Sequence, residues 1–138
     1  MHIAVDFRET ASGIVKKLSL HGVAVELKHL DHGDYLINDT VTIERKTGKD
    51  FLVSIIDSRL FNQIVVLKRK CCKPLILIEG NPFKTDLCMN DSSIRGAILS
   101  IQSVWYIPVV YSRSKEETKN ILITLAKQTG GQQEELVL

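Results

Sequence analysis

Apolar and polar residues follow two different periods along this chain, and these periods predict its strands and helices. Period-two alternation and short apolar runs predict strands at residues 2–6, 23–30, 34–37, 41–46, 74–79 and 108–111. Helical spacing predicts helices at residues 11–20, 51–56, 59–70, 92–105 and 114–127. The run from Leu75 to Ile78 is apolar throughout, which is typical of a strand near the centre of a sheet. The element order predicts an α/β fold with a central mixed β-sheet flanked by helices.

The two strands at residues 34–46 read as a hairpin, and its loop length decides which side chains meet. A two-residue loop would pair Asp34 with Ile43 and would place Glu44 on the opposite face of the sheet. A three-residue loop, Asn38–Thr40, pairs Asp34 with Glu44 and gathers the apolar residues of both strands on one face. Because a half-buried sheet needs such an apolar face, we predict the three-residue loop.

In that register two carboxylates and an ammonium group share one face, contributed by Asp34, Glu44 and Lys46, while Arg45 points to the other face. Carboxylates are hard oxygen ligands that suit Mg²⁺ or Mn²⁺ rather than zinc. Such a metal lowers the pKa of a bound water and polarises a phosphate. A lysine beside it can position the water or neutralise charge that develops on the phosphate. The pattern therefore predicts metal-dependent cleavage of a nucleic acid.

Composition sets the broad class of the protein. A length of 138 residues predicts one domain with a substantial core. The chain is 44% hydrophobic, and its net charge of +2 is too small to indicate nucleic-acid binding by itself. Its three cysteines, an odd number that includes the adjacent pair Cys71 and Cys72, predict a reducing compartment. Since neither a signal peptide nor a bilayer-length apolar run is apparent, we expect an intracellular protein without a membrane partner.

Five short segments together resemble the XPF/Hef-type structure-specific endonucleases, and they occur in the order that this family has. These segments are Val5–Glu9, Gly33–Tyr35, Ile43–Lys46 followed by Asp50, Ser54–Leu60, and Ile94–Ile98. The resemblance predicts a nuclease domain at residues 1–128 and a flexible C-terminal tail or truncated linker at residues 129–138.

This resemblance implies a restriction-endonuclease-like fold and an endonuclease that cuts one strand of branched DNA near a duplex/single-strand junction. Flaps, forks and splayed arms met in DNA repair or replication-fork processing would be its substrates. The cell compartment would be the cytoplasm or nucleoid of a prokaryote or the nucleus of a eukaryote.

The resemblance also implies a role for each residue of the site. Asp34 and Glu44 would bind Mg²⁺ or Mn²⁺, and Lys46 would act on the attacking water or the scissile phosphate. The further metal ligands that it implies are Asp6, Glu9 and the carbonyl of Arg45. The residues that it implies for organising the site or contacting DNA are Arg8, Arg45, Arg59 and Asp50.

Ordinary structural roles compete with three of these assignments. Asp50 could simply cap a helix together with Thr47. Asp6 could be a turn residue at the end of a strand, and Arg59 could be an ordinary residue at a helix N-terminus. Two positions also depart from the family pattern, since Phe7 stands where a small residue is usual and Ser58 stands where glycine is common.

The resemblance also bears on partners. Family members usually continue into a helix-hairpin-helix domain, and some carry a helicase, so the chain is expected to be a fragment or to borrow DNA affinity from such a partner. Relatives dimerise through their nuclease domains, which predicts a homodimer or a heterodimer. A non-catalytic or partner-dependent DNA-binding subunit of a heterodimeric nuclease is the alternative function. A nucleotide-binding module is disfavoured because no Gly-rich phosphate loop follows a strand.

Overall fold

The computed structural model of the chain describes residues 1–130. Within that range the strands are β1 (His2–Asp6), β2 (Ala24–Lys28), β3 (Tyr35–Ile37), β4 (Val41–Thr47), β5 (Lys73–Glu79) and β6 (Val109–Ser112). The α-helices are α1 (Ile14–Ser19), α2 (Gly48–Ile56), α3 (Leu60–Lys70), α4 (Asp91–Ser103) and α5 (Lys115–Thr129). Every predicted strand is found, and the hydrophobic pattern places the helices correctly to within a few residues.

The strands form one mixed sheet in the order β2-β1-β3-β4-β5-β6. Strand β3 runs antiparallel to β1 and β4, whereas the pairs β1–β2, β4–β5 and β5–β6 are parallel. The apolar strand β5, predicted to be central, is an interior strand next to the edge strand β6, and β3 and β4 occupy the centre of the sheet. The α/β fold class predicted from the sequence is therefore confirmed.

The β3–β4 hairpin has the predicted register, with Tyr35 opposite Ile43 and Ile37 opposite Val41. The loop between them contains Asn38 and Asp39 at φ values of 48° and 59°, in the left-handed region that Asn and Asp tolerate better than most residues. The three-residue loop is thus confirmed, and with it the alternation of side chains along β4.

The sheet separates two hydrophobic cores. One face packs against α1 and α5 through residues such as Ile14, Leu18 and Leu122. The other face packs against α2, α3 and α4 through residues that include Phe51 and Ile64. Alternate residues of β4 therefore project into different layers of the protein, which is what positions the site described below.

The chain around residues 7–20 differs from the single helix predicted at residues 11–20. A 3₁₀ turn at Phe7–Ser12 comes first, because the Asp6 side chain caps it by accepting from the Arg8 N–H. Gly13, at a φ of 82°, then separates this turn from α1. The cap by Asp6 thus creates an additional helical turn before α1, which the apolar spacing alone does not reveal.

Two helix starts follow the capping chemistry expected from the sequence. Thr47 caps α2 by accepting from the Asp50 N–H, and Ser114 caps α5 by accepting from the Glu117 N–H. Helix α5 continues to Thr129, past the predicted end at Lys127. The rest of the predicted tail, residues 131–138, lies outside the described residues. Among residues 1–130, none of the helices is both long and apolar enough to cross a bilayer.

Candidate active site

The hairpin brings the two acids and the lysine of the sequence motif together. The Asp34 N–H donates to the Ile43 carbonyl at 2.8 Å, and the Asp34 carboxylate accepts from the Arg45 N–H at 2.8 Å. These bonds hold the Asp34 side chain beside Glu44. Lys46 lies on the same face of β4, with its Nζ 3.9 Å from a Glu44 carboxylate oxygen.

Gly33 allows the chain to enter this site. Its φ is 78°, and a Cβ at this position would clash with the Thr42 side chain and lie 3.3 Å from the Ile43 carbonyl oxygen. A residue with a side chain would therefore push β3 away from β4 at the point where Asp34 must reach the Arg45 N–H. This close approach explains why glycine precedes the first acid of the motif.

Burial and nearby negative charge make the two acids hard to ionise. Burial, followed by the negative charge of Glu44, raises the pKa of Asp34 to about 7, although the hydrogen bond from the Arg45 N–H opposes this effect. Burial also raises the pKa of Glu44, against the opposing positive charges of Lys46 and Arg8. The negative charge of this face is therefore only partly compensated by the side chains around it.

This carboxylate pair fits a hard divalent cation, because such an ion would relieve the repulsion between two buried like charges. Mg²⁺ is commonly held by one or two carboxylates, while water and phosphate oxygens fill its other positions. Within residues 1–130, His, Cys, Asp and Glu side chains form no cluster of three or more that could enclose a metal. The donor set at this site is thus the pair, open to water or substrate.

A groove of about 330 Å³ opens over Glu44. Its walls come from the 3₁₀ turn, from the chain just before β3, and from α3. The lining residues are Arg8, Asp31, His32, Gly33, Glu44, Asn62, Gln63, Val66 and Leu67. A phosphate of an extended strand could therefore approach Glu44 past the Arg8 guanidinium.

Asp6 is committed to holding the rim of this groove. Its carboxylate accepts from the Leu30 N–H at 2.8 Å and from the Arg8 N–H and Nε at 2.9 and 2.6 Å. Although burial opposes ionisation, these hydrogen bonds hold the pKa of Asp6 at about 2. Asp6 therefore fixes Arg8 beside the acids, and its oxygens already have partners.

Glu9 contacts Tyr35 and Arg45, and its negative charge also raises the pKa of both Asp34 and Glu44. Its carboxylate accepts from the Tyr35 hydroxyl at 2.5 Å and pairs with the Arg45 guanidinium at 3.4 Å. The Arg45 side chain also pairs with Glu79, at 2.6 and 3.1 Å. The predicted orientation of Arg45 away from Glu44 is thus found, and Glu9 bonds to Arg45 while its charge still acts on the two acids.

Glu79 is the residue that sequence reasoning missed. It ends the apolar run of β5 and lies opposite Thr47 in the parallel pairing of β4 and β5. A buried carboxylate at the end of an apolar strand is a signal that could have singled it out, since such a group needs a partner.

Asp50 and Arg59 contact residues other than the two acids. The Asp50 N–H is bonded to the capping Thr47 hydroxyl, and its side chain is exposed in the first turn of α2. Arg59 is half exposed and pairs with Asp57 at 3.4 Å. Between them Ser58 adopts a φ of 58°, which explains why the resemblance leads one to expect glycine there.

The sequence and the fold are similar to those of known proteins. A family model described as the ERCC4 domain matches residues 5–125. A protein of Methanocaldococcus jannaschii, named as a candidate ATP-dependent RNA helicase, is 44% identical over 127 residues, which cover 91% of this chain and 15% of that protein. The 3′-flap repair endonuclease Xpf of Saccharolobus solfataricus is 33% identical over 136 residues, which cover 93% of this chain and 55% of that protein.

A solved structure shows the same fold. XPF from Aeropyrum pernix, in complex with DNA, superimposes with a TM-score of 0.89 at 31% identity, covering 94% of this chain and 64% of that chain. This chain therefore spans only part of the proteins that it resembles, namely 15% and 55% of the two relatives and 64% of the solved chain.

Proposed function

The chain belongs to the ERCC4-domain family, which includes the XPF-type nucleases, and we propose that it is a metal-dependent endonuclease domain. It would hydrolyse a phosphodiester in one strand of branched DNA near a duplex/single-strand junction, with Mg²⁺ or Mn²⁺. The S. solfataricus relative is named for 3′-flap repair, and the A. pernix structure contains DNA. These names make flaps, forks and splayed arms the substrates to try first.

The observation that carries this proposal is the partly compensated carboxylate pair of Asp34 and Glu44, with Lys46 on the same face. Structural acids are normally paired with cations or hydrogen-bond donors, as Asp6 is here. An acid whose pKa is raised by burial and by a second acid is instead typical of a functional site. The groove over Glu44, which Arg8 also lines, would give a DNA strand access to this charge.

Each residue has a distinct role in the proposed reaction. Asp34 and Glu44 would hold the cation, which supplies polarisation of the phosphate and a lower pKa for water. Lys46 would orient the attacking water or neutralise charge developing on the phosphate. Arg8, held by Asp6, would fix the DNA strand by a phosphate contact in the groove. Arg59 and Asp50, near the two ends of α2, would contact or orient the strand beyond this centre.

The chain spans 55% of the S. solfataricus relative, so a further DNA-gripping region or a partner is part of the proposal. A second copy of the chain, a different subunit, a helix-hairpin-helix domain or a helicase could provide it. By itself, this domain is then expected to bind DNA with modest affinity. That affinity should fall steeply with salt, because phosphate contacts release counterions.

The test is cleavage of a labelled splayed-arm or 3′-flap DNA at low salt with Mg²⁺ or Mn²⁺. We expect nicking near the junction by the unaltered protein, none on plain duplex, and loss of nicking in Asp34→Ala and Glu44→Ala. Glu26→Ala, which alters an exposed acid on the edge strand β2, is the matched control and should cut normally.

Two outcomes would overturn the assignment. Undiminished cutting by folded Glu44→Ala would show that the pair is not the centre. Binding of branched DNA without cutting, at high protein concentration and with either metal, would favour the alternative of a non-catalytic or partner-dependent DNA-binding subunit.

A further inference from the structure

The face of β4 opposite the acids carries a second group of charges, and this group is fully paired. The Arg45 guanidinium is 10% exposed and lies between the carboxylates of Glu9 and Glu79. Glu79 receives two hydrogen bonds from it, Nε to Oε1 at 3.1 Å and Nη2 to Oε2 at 2.6 Å. Two parallel bonds of this kind fix the orientation of a guanidinium as well as its distance.

Arg45 connects this group to the acids through its own backbone. Its N–H donates to the Asp34 carboxylate at 2.8 Å, and its neighbours in sequence are Glu44 and Lys46. A second connection runs through Glu9, which accepts from the hydroxyl of Tyr35, the residue next to Asp34. Both acids are therefore attached, through adjacent residues, to the same paired group on the far side of the sheet.

Glu79 ties this group to the rest of the fold. The Thr118 hydroxyl donates to Glu79 Oε1 at 2.7 Å and lies 2.7 Å from the Ser112 hydroxyl oxygen. Thr118 is on α5 and Ser112 is at the end of β6, so the carboxylate joins β4 to β5, β6 and α5. Burial opposes the ionisation of Glu79, but the bonds from Arg45 and Thr118 lower its pKa and keep it charged.

We infer that Glu79 is a positioning residue for the proposed nuclease, which acts through Arg45 to fix the backbone that presents Asp34, Glu44 and Lys46. The inference rests on the proposed function. Without the two-point contact, the Arg45 side chain would retain only its longer contact to Glu9, and residues 44–46 could shift relative to Asp34. Displacements of about 1 Å in a reacting geometry can reduce a rate by roughly 100-fold, even when substrate binding is unchanged.

The experiment compares Glu79→Gln with Thr118→Val in the whole chain, under conditions where the unaltered protein cuts branched DNA. Glu79→Gln removes the charge that orients Arg45, whereas Thr118→Val removes the other bond to Glu79 and leaves the Arg45 pair intact. We expect Glu79→Gln to lower kcat at least tenfold, with KM for DNA within about twofold of normal. Its half-maximal Mn²⁺ concentration should rise, because the acids no longer hold their spacing. Thr118→Val should reduce thermal stability and leave kcat nearly unchanged.

A purely structural role for Glu79 would give a different pattern, and that pattern would overturn the inference. Both variants would lose thermal stability while kcat and the Mn²⁺ requirement stayed normal. If Glu79→Gln does not fold, Glu79→Asp decides, because it keeps the charge and withdraws the carboxylate from Arg45. A normal kcat in folded Glu79→Asp overturns the inference, and a reduced kcat with a normal KM supports it. If the unaltered protein cuts no DNA, the proposed function fails instead, and the two failures are thus distinguished.

Discussion

The two faces of the β3–β4 hairpin differ in how closely their charged side chains are paired. On one face, Arg45 is bonded to two carboxylates at distances down to 2.6 Å, and its partners are as buried as it is. On the other face, the Lys46 Nζ is 3.9 Å from a Glu44 carboxylate oxygen. None of the ion pairs found in residues 1–130 includes Asp34. Alternate residues of one seven-residue strand, β4, thus belong to a closely paired ionic group on one face and to an incompletely compensated one on the other.

This contrast separates structure from function in one motif. The paired face satisfies each charge with a partner, which is how buried charges are tolerated in proteins. On the acidic face, burial raises the pKa values of both acids, and the negative charge of Glu44 raises that of Asp34 further. Such a face lowers stability unless something outside the chain, such as a cation, completes it.

The largest expected effect comes from removing the cation of the paired face. Arg45→Met should lower the free energy of unfolding by about 3–5 kcal/mol, because it leaves Glu9 and Glu79 buried without their partner. Urea unfolding at pH 8 without metal measures this loss. Lys46→Met is the matched variant, because it removes the cation of the other face. It should destabilise much less and should instead reduce cutting by about 100-fold or more.

Equal losses of stability in the two variants would contradict the proposed difference between the two faces. They would mean that Lys46 is as firmly paired as Arg45, and that the acidic face has no unmet need for a cation. Normal cutting by Lys46→Met would remove its proposed role in the reaction.

The next effect is a loss of stability with rising pH, which arises from the raised pKa of Asp34 on the acidic face. The folded pKa of Asp34 is about 7, above its ordinary value of 3.8. Stability from the protonated form is therefore fully present below about pH 4 and is lost as pH rises through 7. The loss amounts to at most about 4 kcal/mol by pH 8. Asp6, whose pKa falls from 3.8 to about 2 on folding, changes stability only below about pH 5 and does so in the opposite direction.

Asp34→Asn isolates this contribution. The variant keeps an oxygen for the Arg45 N–H and removes the charge, so it should match the unaltered protein near pH 4 and exceed it in stability at pH 8. Thermal unfolding of both proteins across pH 4–8, without metal, gives the difference. A constant difference over this range would mean that Asp34 ionises normally in the folded protein.

The smallest effect sets a scale for changes that touch neither face. Ser58 adopts a φ of 58°, which glycine reaches without strain. Ser58→Gly should therefore raise the free energy of unfolding by up to about 1 kcal/mol and leave cutting unchanged. Chemical denaturation measures the first and the splayed-arm assay the second. A loss of stability would show that the serine side chain makes a contribution larger than the backbone strain.

Much of the fold and the centre of the site could be predicted, because both depend on local alternation. The apolar residues of the hairpin allow one register, and that register forces Asp34 and Glu44 together. The helix caps at Thr47 and Ser114 could likewise be predicted, because each depends on only four consecutive residues. The resemblance to the XPF/Hef-type nucleases, confirmed by the family match, rests on these same local motifs.

What could not be predicted depends on strands and turns that are distant in sequence. Glu79 reaches Arg45 only through the parallel pairing of β4 with β5, whose register no short motif specifies. Glu9 was expected near the metal, and the 3₁₀ turn capped by Asp6 directs its carboxylate to Tyr35 and Arg45, from where its charge still raises the pKa of both acids. The raised pKa of Asp34 depends on burial by the surrounding elements, which is a property of the whole domain. The metal, the dimer and the roles of Asp50 and Arg59 stay predictions.

The central claim is that the acidic face is completed by a divalent cation. Calorimetric titration of Mn²⁺ into the metal-free protein at pH 8 tests it directly, beside Asp34→Asn and the exposed control Glu26→Gln. The account predicts saturable binding that weakens at least tenfold in Asp34→Asn and is unchanged in Glu26→Gln. Binding that is equally strong in Asp34→Asn, or that is absent from the unaltered protein, would contradict it.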